Sequence, residues 1–170
     1  MAKIDNDAYF TPNNVVELGW KLIDKYIGLD NITEIIESSA GAGAWLRNDL
    51  NVPFFSYDIN PQAEGIEQQD FLELALDYKA GRLIGFNPPF GSRNNLSRKF
   101  YKKAVGVADY IVFVQPISQL NNPVSLYEFD LICSVDLGTQ HYTDRNLHCC
   151  LNIWKRPDAS IKAWEDKYGK

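Results

Sequence analysis

Residues 33–43 read Thr-Glu-Ile-Ile-Glu-Ser-Ser-Ala-Gly-Ala-Gly, a strand-like run that ends in a glycine-rich turn. Thr33–Glu37 is expected to form a short strand, and Ala42–Leu50 a helix that begins beside the second glycine. Small residues at such a junction let the backbone approach a ligand, and a helix amino terminus offers N–H groups to a carboxylate. Taken alone, the same pattern also fits an ordinary tight turn.

The rest of the chain continues this alternation of strands and helices. Helical spacing covers Asn13–Ile27, Phe71–Ala80, Leu96–Val107 and Ser160–Tyr168, with Thr11 and Pro12 as cap and first turn of the first helix. Strand-like runs cover Pro53–Asp58, Arg82–Phe86, Asp109–Val114, Phe129–Val135 and Leu147–Trp154. This order predicts an α/β fold with a mostly parallel sheet and helices on both faces. Only Asp136–Asn146 separates the last two strands, so we expect an antiparallel hairpin there.

Length and composition predict a single domain over residues 1–170. A chain of 170 residues has room for one core, and 45% apolar and 13% aromatic residues can fill it. The longest apolar runs are short, such as Ile111–Val114, which argues against a membrane span, and the first residues lack the apolar region of a secretory signal. A net charge of −5 argues against non-specific coating of duplex DNA, although it allows a local basic patch.

Cysteine and histidine usage points away from disulfides and metals. Cys133, Cys149 and Cys150 lie in apolar, strand-like runs and are expected to be buried, reduced thiols of a cytoplasmic protein. His141 and His148 have no carboxylate or cysteine set with metal-ligand spacing beside them, so no metal site is predicted.

Acids at the carboxyl ends of strands are candidate ligand contacts, because ligands of such sheets bind beyond those ends. Asp58 ends a strand 15 residues after Gly43, where a carboxylate can accept hydrogen bonds from both hydroxyls of a ribose. The alternative is a turn aspartate before Asn60 and Pro61. Asp70-Phe71 fits either an adenine contact, with the ring covering the base, or a helix cap followed by a core aromatic.

The stretch Asn87-Pro88-Pro89-Phe90-Gly91 is the most informative. Two prolines after a strand make a rigid turn without N–H donors. The Asn87 side-chain oxygen and the Pro88 carbonyl can accept two hydrogen bonds from one planar amino group, and Phe90 offers a face for a flat ring. Such a site turns an amino lone pair toward an electrophile, and its catalysis depends on position rather than on a strong base.

Together, these motifs resemble class I S-adenosylmethionine-dependent methyltransferases of the adenine-N6 type, small bacterial and phage members in particular. Asn87, Pro88, Pro89 and Phe90 are similar to their catalytic Asn-Pro-Pro-Phe motif. The resemblance, over about residues 9–156, implies a Rossmann-like fold with a seven-stranded sheet, and S-adenosylmethionine as the cofactor. The cofactor contacts that it implies are Tyr9, Thr11, Pro12, Glu37, Ser39, Ala40, Gly41, Gly43, Asp58, Ile59, Asp70, Phe71 and Asn87.

The chain also departs from the family pattern. Ser38 stands where the family often has proline, and the short stretch after Asp58 predicts a rudimentary third strand. No separate target-recognition domain is present in residues 1–170. Recognition of a sequence would then come from loops, from an already exposed base, or from a partner subunit or a homodimer.

A basic strip follows the Asn-Pro-Pro-Phe motif. The segment from Gly91 to Lys103 holds five positive charges and no acid, with Phe100 and Tyr101 between them. It fits a track for phosphates beside the site, or a solvated helix face in the case of Lys102 and Lys103. The expected substrate contacts are Phe90, Arg93, Asn95 and Arg98. Gly-Ser-Arg-Asn-Asn at 91–95 also resembles ribosomal-RNA adenine methyltransferases that act with a small partner protein.

The sequence therefore predicts a nucleic-acid adenine-N6 methyltransferase, with DNA favoured over RNA because of the Thr11-Pro12 segment and the small phage-like architecture. Two alternatives stay open at this point. One is a methyltransferase for glutamine N5 in proteins, since an amide is also a planar amino group. The other is a non-catalytic protein that binds the cofactor or blocks another enzyme. The recognition sequence and the oligomeric state cannot be read from the chain.

Overall fold

The structure is a computed structural model that describes residues 11–91, 95–121, 126–142 and 145–158. Helix α1 spans Asn13–Tyr26 and α2 spans Asn95–Val107. The strands are β1 (Glu34–Glu37), β2 (Phe54–Asp58), β3 (Glu67–Gln68), β4 (Arg82–Phe86), β5 (Tyr110–Pro116), β6 (Asp130–Tyr142) and β7 (Arg145–Lys155). No helix in these ranges is long and apolar enough to cross a membrane.

The seven strands form one sheet in the order β3-β2-β1-β4-β5-β7-β6. Strands β1 to β5 are parallel to one another, whereas β7 runs antiparallel to both β5 and β6. The predicted antiparallel hairpin is therefore confirmed, with strands longer than expected because β6 continues to Tyr142 and β7 begins at Arg145. Strand β3 has two residues, as the short stretch after Asp58 predicts.

Side chains that alternate along the central strands fill two core clusters. The first cluster contains Ile35, Leu83 and Val112, together with Val15, Trp20 and Ile23 of α1. The second cluster contains Ile36, Ile84 and Ile111, together with Phe100, Tyr101 and Ala104 of α2. All three cysteines are buried, as expected from their apolar surroundings.

Two of the predicted crossover helices are wrong. Ala42–Leu50 forms turns and bends, because the backbone of both Gly41 and Gly43 has positive φ, which starts no right-handed helix. In Phe71–Ala80 only Phe71–Glu73 is helical, as a single 3₁₀ turn. Helices on both faces of the whole sheet thus stay a prediction, and the terminal helix expected at 160–168 lies outside the described residues.

In the β1–β2 connection, which has no helix, the buried side chain of Trp45 packs into the first core cluster. Its ring stacks on Phe86 with centroids 4.5 Å apart and the planes inclined by 4°. Its indole Nε1 donates to Thr11 Oγ1 at 3.3 Å, so the Thr11 hydroxyl does not cap α1, whose N-cap residue is Pro12. Close packing of α1 against this ring depends on Gly19, because a Cβ there would lie 2.4 Å from the Trp45 ring.

Substitution of Gly19 by Ala tests this packing. A rigid, buried indole ring cannot give way to a new methyl group, so α1 or the β1–β2 connection must shift. We expect Gly19→Ala to lower the free energy of unfolding by about 1–3 kcal/mol, despite the better helix propensity of Ala. Urea unfolding followed by circular dichroism measures the change. Gly106→Ala in α2 is the control, because open space surrounds that position; equal effects of both changes would contradict the packing argument.

Candidate active site

The carboxyl ends of β1, β2 and β4 lie side by side, since Glu37 pairs with Ser56 of β2 and Gly85 of β4. The turn after β1 is tied directly to the end of β4. Both the backbone N–H and the hydroxyl of Ser38 donate to the Gly85 carbonyl, at 2.6 and 3.1 Å. The glycine-rich turn and the Asn-Pro-Pro-Phe turn, which begins two residues after Gly85, are therefore held at one edge of the sheet.

Asp58 organises the glycine-rich turn. Its Oδ2 accepts from the N–H of Gly41 at 2.7 Å, and its Oδ1 accepts from the N–H of Asn60 at 2.7 Å. The turn-aspartate role that the sequence left open is thus real. These two hydrogen bonds do not use the full accepting capacity of the carboxylate, because each oxygen has a second lone pair that can accept a hydrogen bond from a ribose hydroxyl. The positive φ of Gly41 allows the close backbone approach that such a ligand needs.

Glu37 is fully buried below this turn and only half satisfied. Its Oε1 accepts from the Ser56 hydroxyl at 3.3 Å, whereas its Oε2 is buried without a hydrogen-bond partner. Burial raises the pKa of Glu37 to about 8, the Ser56 hydrogen bond opposes this shift, and the nearby Asp58 carboxylate adds to it. The unpaired Oε2 is therefore a buried hydrogen-bonding group that a ligand at this edge can pair with.

Glu37 makes stability depend on pH. Its pKa is raised on folding, so the folded state binds the proton of this carboxyl more tightly than the unfolded chain does. Protonation of Glu37 therefore stabilises the fold. This contribution is complete below the unfolded pKa near 4.5 and is lost as the pH rises towards 8. Relative to Glu37→Gln, we expect the unfolding free energy of the native protein to fall by roughly 1 kcal/mol per pH unit in that window. Urea titrations at pH 5.5, 7 and 8.5 measure the difference. Parallel pH profiles of the two proteins would contradict it.

Asp70 and Phe71, predicted either as an adenine contact or as a helix cap followed by a core aromatic, form the cap and the core aromatic. Asp70 Oδ1 accepts from the Leu72 N–H at 2.9 Å and so caps the 3₁₀ turn, and Phe71 is 1% exposed and packs on Phe100. Ile59, which follows Asp58 directly, is 43% exposed. Of these two apolar side chains among the expected cofactor contacts, Ile59 is accessible and Phe71 is not.

The Asn-Pro-Pro-Phe turn directly follows β4. Pro88 and Pro89 are buried, while Asn87 and Phe90 are half-buried, and Phe90 packs against the first core cluster. The Phe90 carbonyl accepts from the Ser97 N–H of the first turn of α2 at 3.4 Å. The turn therefore has one firmly packed side, and its two half-buried side chains, Asn87 and Phe90, stand at the carboxyl edge.

Two of the five basic residues of the strip make contacts within the fold. Lys102 forms an ion pair with Glu128, and Lys103 donates to the carbonyls of Phe71 and Leu74. Burial lowers the pKa of Lys103. Arg98 and Lys99 are exposed, as is Asn95 at the start of α2. Within the described residues, the exposed basic groups nearest in sequence to the Asn-Pro-Pro-Phe turn are Arg98 and Lys99, in the amino-terminal half of α2.

Most of the predicted site residues lie on this one edge. The turn residues Ser39, Ala40, Gly41 and Gly43, with Glu37, Asp58, Ile59 and Asn87, follow or end neighbouring strands. Tyr9 and Arg93 lie outside the described residues. Thr11 and Pro12 are described, and the buried Thr11 is bonded to Trp45. Within the described ranges, no group of three or more His, Cys, Asp or Glu residues could hold a metal ion.

Two residues that organise the edge escape sequence reasoning. Ser56 looks like any polar strand residue, yet its hydroxyl is the hydrogen-bond donor to buried Glu37. Trp45 looks like part of a helix, yet it links the glycine-rich turn to Thr11 and Phe86. A tryptophan two residues after a Gly-x-Gly turn is the only sequence signal of that role.

Sequence comparisons give no family, because no family model and no curated protein matches the chain. Solved structures do match. A proposed RNA methyltransferase from Pyrococcus horikoshii superposes with a TM-score of 0.68 at 14% identity, over 92% of this chain and 90% of that one. A proposed class I S-adenosylmethionine-dependent methyltransferase from Listeria monocytogenes gives 0.68 at 12% identity, over 92% of this chain and 63% of that one.

The chain has the fold of class I methyltransferases. Magnesium protoporphyrin IX methyltransferase from Synechocystis, solved with S-adenosylmethionine bound, shares that fold as well, with a TM-score of 0.58 at 10% identity over 85% of this chain and 79% of that one. At 10–14% sequence identity, these matches show a shared fold. Its mostly parallel, seven-stranded sheet agrees with the expectation from sequence.

Proposed function

We propose that the protein is an S-adenosylmethionine-dependent methyltransferase that modifies the N6 amino group of adenine in nucleic acid, with DNA as the favoured polymer. One observation carries the proposal. The double hydrogen bond from Ser38 to the Gly85 carbonyl joins the glycine-rich turn to the strand end that leads into Asn87-Pro88-Pro89-Phe90. This link supports the proposal, because a cofactor bound at the first turn and an amino group held at the second would meet at one edge of the sheet.

The cofactor assignment is supported by the chemistry of the β1 and β2 ends. Asp58 has lone pairs for the ribose hydroxyls, and the backbone at Gly41 permits close approach. The buried, unpaired Glu37 Oε2 is a hydrogen-bond partner for the ammonium group of the cofactor, whose positive charge favours the ionised form of this carboxyl. Ile59 offers an exposed apolar side chain for the adenine ring. When bound, S-adenosylmethionine supplies an electrophilic methyl group on a sulfonium.

The protein's own contribution to the reaction is to orient the amino group. The Asn87 side-chain oxygen and the Pro88 carbonyl accept the two amino hydrogens, which directs the nitrogen lone pair away from them. Phe90 stacks on the base and fixes its plane. A planar amino group is a weak nucleophile, so its correct placement is the main source of rate.

Nucleic acid is supported as the substrate by the exposed cations beside this turn. Arg98 and Lys99 lie on the amino-terminal half of α2, next to the position where a base would enter, and can contact phosphates. A duplex substrate must have its base flipped out of the stack, which costs a few kcal/mol. With few basic contacts to offset that cost, single-stranded segments or a duplex held by a partner or a second copy are favoured.

RNA is the second candidate polymer. The Pyrococcus structure carries the description of an RNA methyltransferase, and it matches nearly the full length of both chains. The sequence from Gly91 to Asn95, which resembles that of ribosomal-RNA adenine methyltransferases, also favours RNA. The two candidates share the site and differ only in the polymer that reaches it.

Transfer of labelled methyl from S-adenosylmethionine tests the proposal. Substrates are duplex DNA, single-stranded DNA, total RNA and cell protein, and hydrolysis of the products identifies the modified unit. Label in N6-methyladenine supports the proposal and names the polymer, whereas label in N5-methylglutamine replaces it with protein methylation. Cofactor binding without any transfer indicates a missing partner subunit or a non-catalytic binder.

A further inference from the structure

A buried chain of polar side chains runs behind the Asn-Pro-Pro-Phe turn. Gln115 near the end of β5 is 1% exposed, Asn152 of β7 is 1% exposed, and Ser97 of α2 is fully buried. Gln115 Nε2 donates to Ser97 Oγ at 3.0 Å, and Asn152 Nδ2 donates to Gln115 Oε1 at 2.9 Å. Two amides placed inside a core are costly unless every group is paired, so this pairing is a specific feature of the fold.

One end of the polar chain reaches the Asn-Pro-Pro-Phe turn. Ser97 lies in the first turn of α2, where backbone N–H groups have no partner inside the helix. Its N–H donates instead to the Phe90 carbonyl, at 3.4 Å. The pairing of β4 with β5 stops at Phe86 opposite Phe113, so Gln115 lies two residues further along β5. The Gln115 amide therefore stands at the level of the turn that would hold the amino group.

The other end of the polar chain reaches the connection that follows β5. Asn152 Nδ2 also donates to the Gln119 carbonyl at 3.1 Å. Ser134 Oγ donates to Asn152 Oδ1 at 2.5 Å and accepts from the Asn121 N–H at 2.9 Å. Residues 117–121, which follow the carboxyl end of β5, are thereby fixed to Asn152 of β7 and Ser134 of β6. Each amide has only one orientation that satisfies these contacts.

We propose that Gln115 and Asn152 are positioning residues for the substrate base, an inference that rests on the proposed methyltransferase function. Through one hydrogen-bonded chain they hold the Phe90 end of the Asn-Pro-Pro-Phe turn and residues 117–121 at a fixed separation. Both segments follow carboxyl ends of neighbouring strands, β4 and β5, and this is the edge of the sheet where the proposed site lies. Neither amide contacts the glycine-rich turn, so the chain acts on the substrate and not on the cofactor.

Gln115→Leu is the test, because it keeps the volume but removes both amide contacts. We expect KM for the methyl-accepting nucleic acid to rise about tenfold or more, since small misplacements of a reacting group are costly. The Kd for S-adenosylmethionine should stay within about twofold, because the cofactor residues lie on β1 and β2. Ser97→Ala removes a single oxygen from the same chain and decides the question if Gln115→Leu does not fold.

Tyr78→Phe is the matched control. It deletes a part-buried hydrogen bond, from the Tyr78 hydroxyl to Asp109 at 2.7 Å, at the opposite edge of the sheet. This control should lose stability without a change in KM. An unchanged KM in Gln115→Leu, or an equal rise in Tyr78→Phe, would overturn the proposal.

Amide hydrogen exchange separates this inference from the proposed function. In Gln115→Leu we expect faster exchange in residues 95–97 and in 117–121 together, and unchanged exchange in the glycine-rich turn. If the native protein methylates protein and no nucleic acid, the proposed function fails, while joint loosening still shows that the two segments are coupled. Loosening of one segment alone, or of neither, overturns the positioning role in any case.

Discussion

Asn87→Ala should abolish most methyl transfer and leave cofactor binding intact. The substitution removes one of the two acceptors proposed for the amino group, while the proline turn and the packing of Phe90 stay in place. Loss of one such oriented contact costs roughly 10²–10³-fold in kcat in comparable sites. Single-turnover transfer of labelled methyl measures the rate, and calorimetric titration with S-adenosylmethionine measures the affinity.

Two comparisons make the Asn87 result specific. Asn87→Asp keeps an acceptor oxygen at the same place and should retain more turnover than Asn87→Ala. Asn48→Ala, at an exposed position of the β1–β2 connection, should leave the rate unchanged. If Asn87→Ala turned over at the native rate, the Asn-Pro-Pro-Phe turn would have no role in the chemistry.

Asp58→Ala should have the largest effect on cofactor affinity. The carboxylate is proposed to accept both ribose hydroxyls, and it already fixes the N–H groups of Gly41 and Asn60. Removal of two charge-assisted hydrogen bonds corresponds to about 3 kcal/mol or more, which is on the order of a 100-fold rise in Kd for S-adenosylmethionine. Isothermal titration calorimetry measures this Kd directly.

The controls for Asp58 separate charge from turn geometry. Glu64→Ala removes an exposed acid from the β2–β3 connection, which follows Asp58, and should leave the Kd unchanged. Asp58→Asn keeps one acceptor oxygen and should lie between the native protein and Asp58→Ala. A native Kd in Asp58→Ala would show that the acid is only a turn residue and that the cofactor assignment is misplaced.

The strands could be read from the sequence because each carries a short apolar run that the core requires. Val112, Phe113 and Val114 are buried on both faces of the sheet, and continuous burial leaves a continuous apolar signal. In a mostly parallel sheet, ligands bind beyond the carboxyl ends of the strands. The edge where the site lies could therefore be predicted before any coordinate was known.

The two crossover segments could not be read in this way, because tertiary contacts override their helical spacing. The apolar residues of Phe71–Ala80 meet the second core cluster from a largely extended segment. Lys103 binds the carbonyls of Phe71 and Leu74, which a helix would have used internally. The positive φ of Gly41 likewise serves the contact with Asp58 and not a helix.

The amide chain around Gln115 was equally hidden from sequence reasoning. Nothing in the local sequence distinguishes Gln115 or Asn152 from a polar residue at the end of a strand. Their partners come from α2, from β6 and from the connection after β5, all distant in the chain. Such features become visible only when registers between strands are known.

The stacking of Trp45 on Phe86 gives the protein a natural optical reporter of its own site. The indole lies two residues after Gly43, and Phe86 directly precedes Asn87. Emission from an indole responds to changes in its contacts and in its exposure to water. Ligand entry at either turn can therefore be followed by the intrinsic fluorescence of the unlabelled chain, and a Trp45→Phe protein, which keeps an aromatic ring at the stack, supplies the background from the other tryptophans.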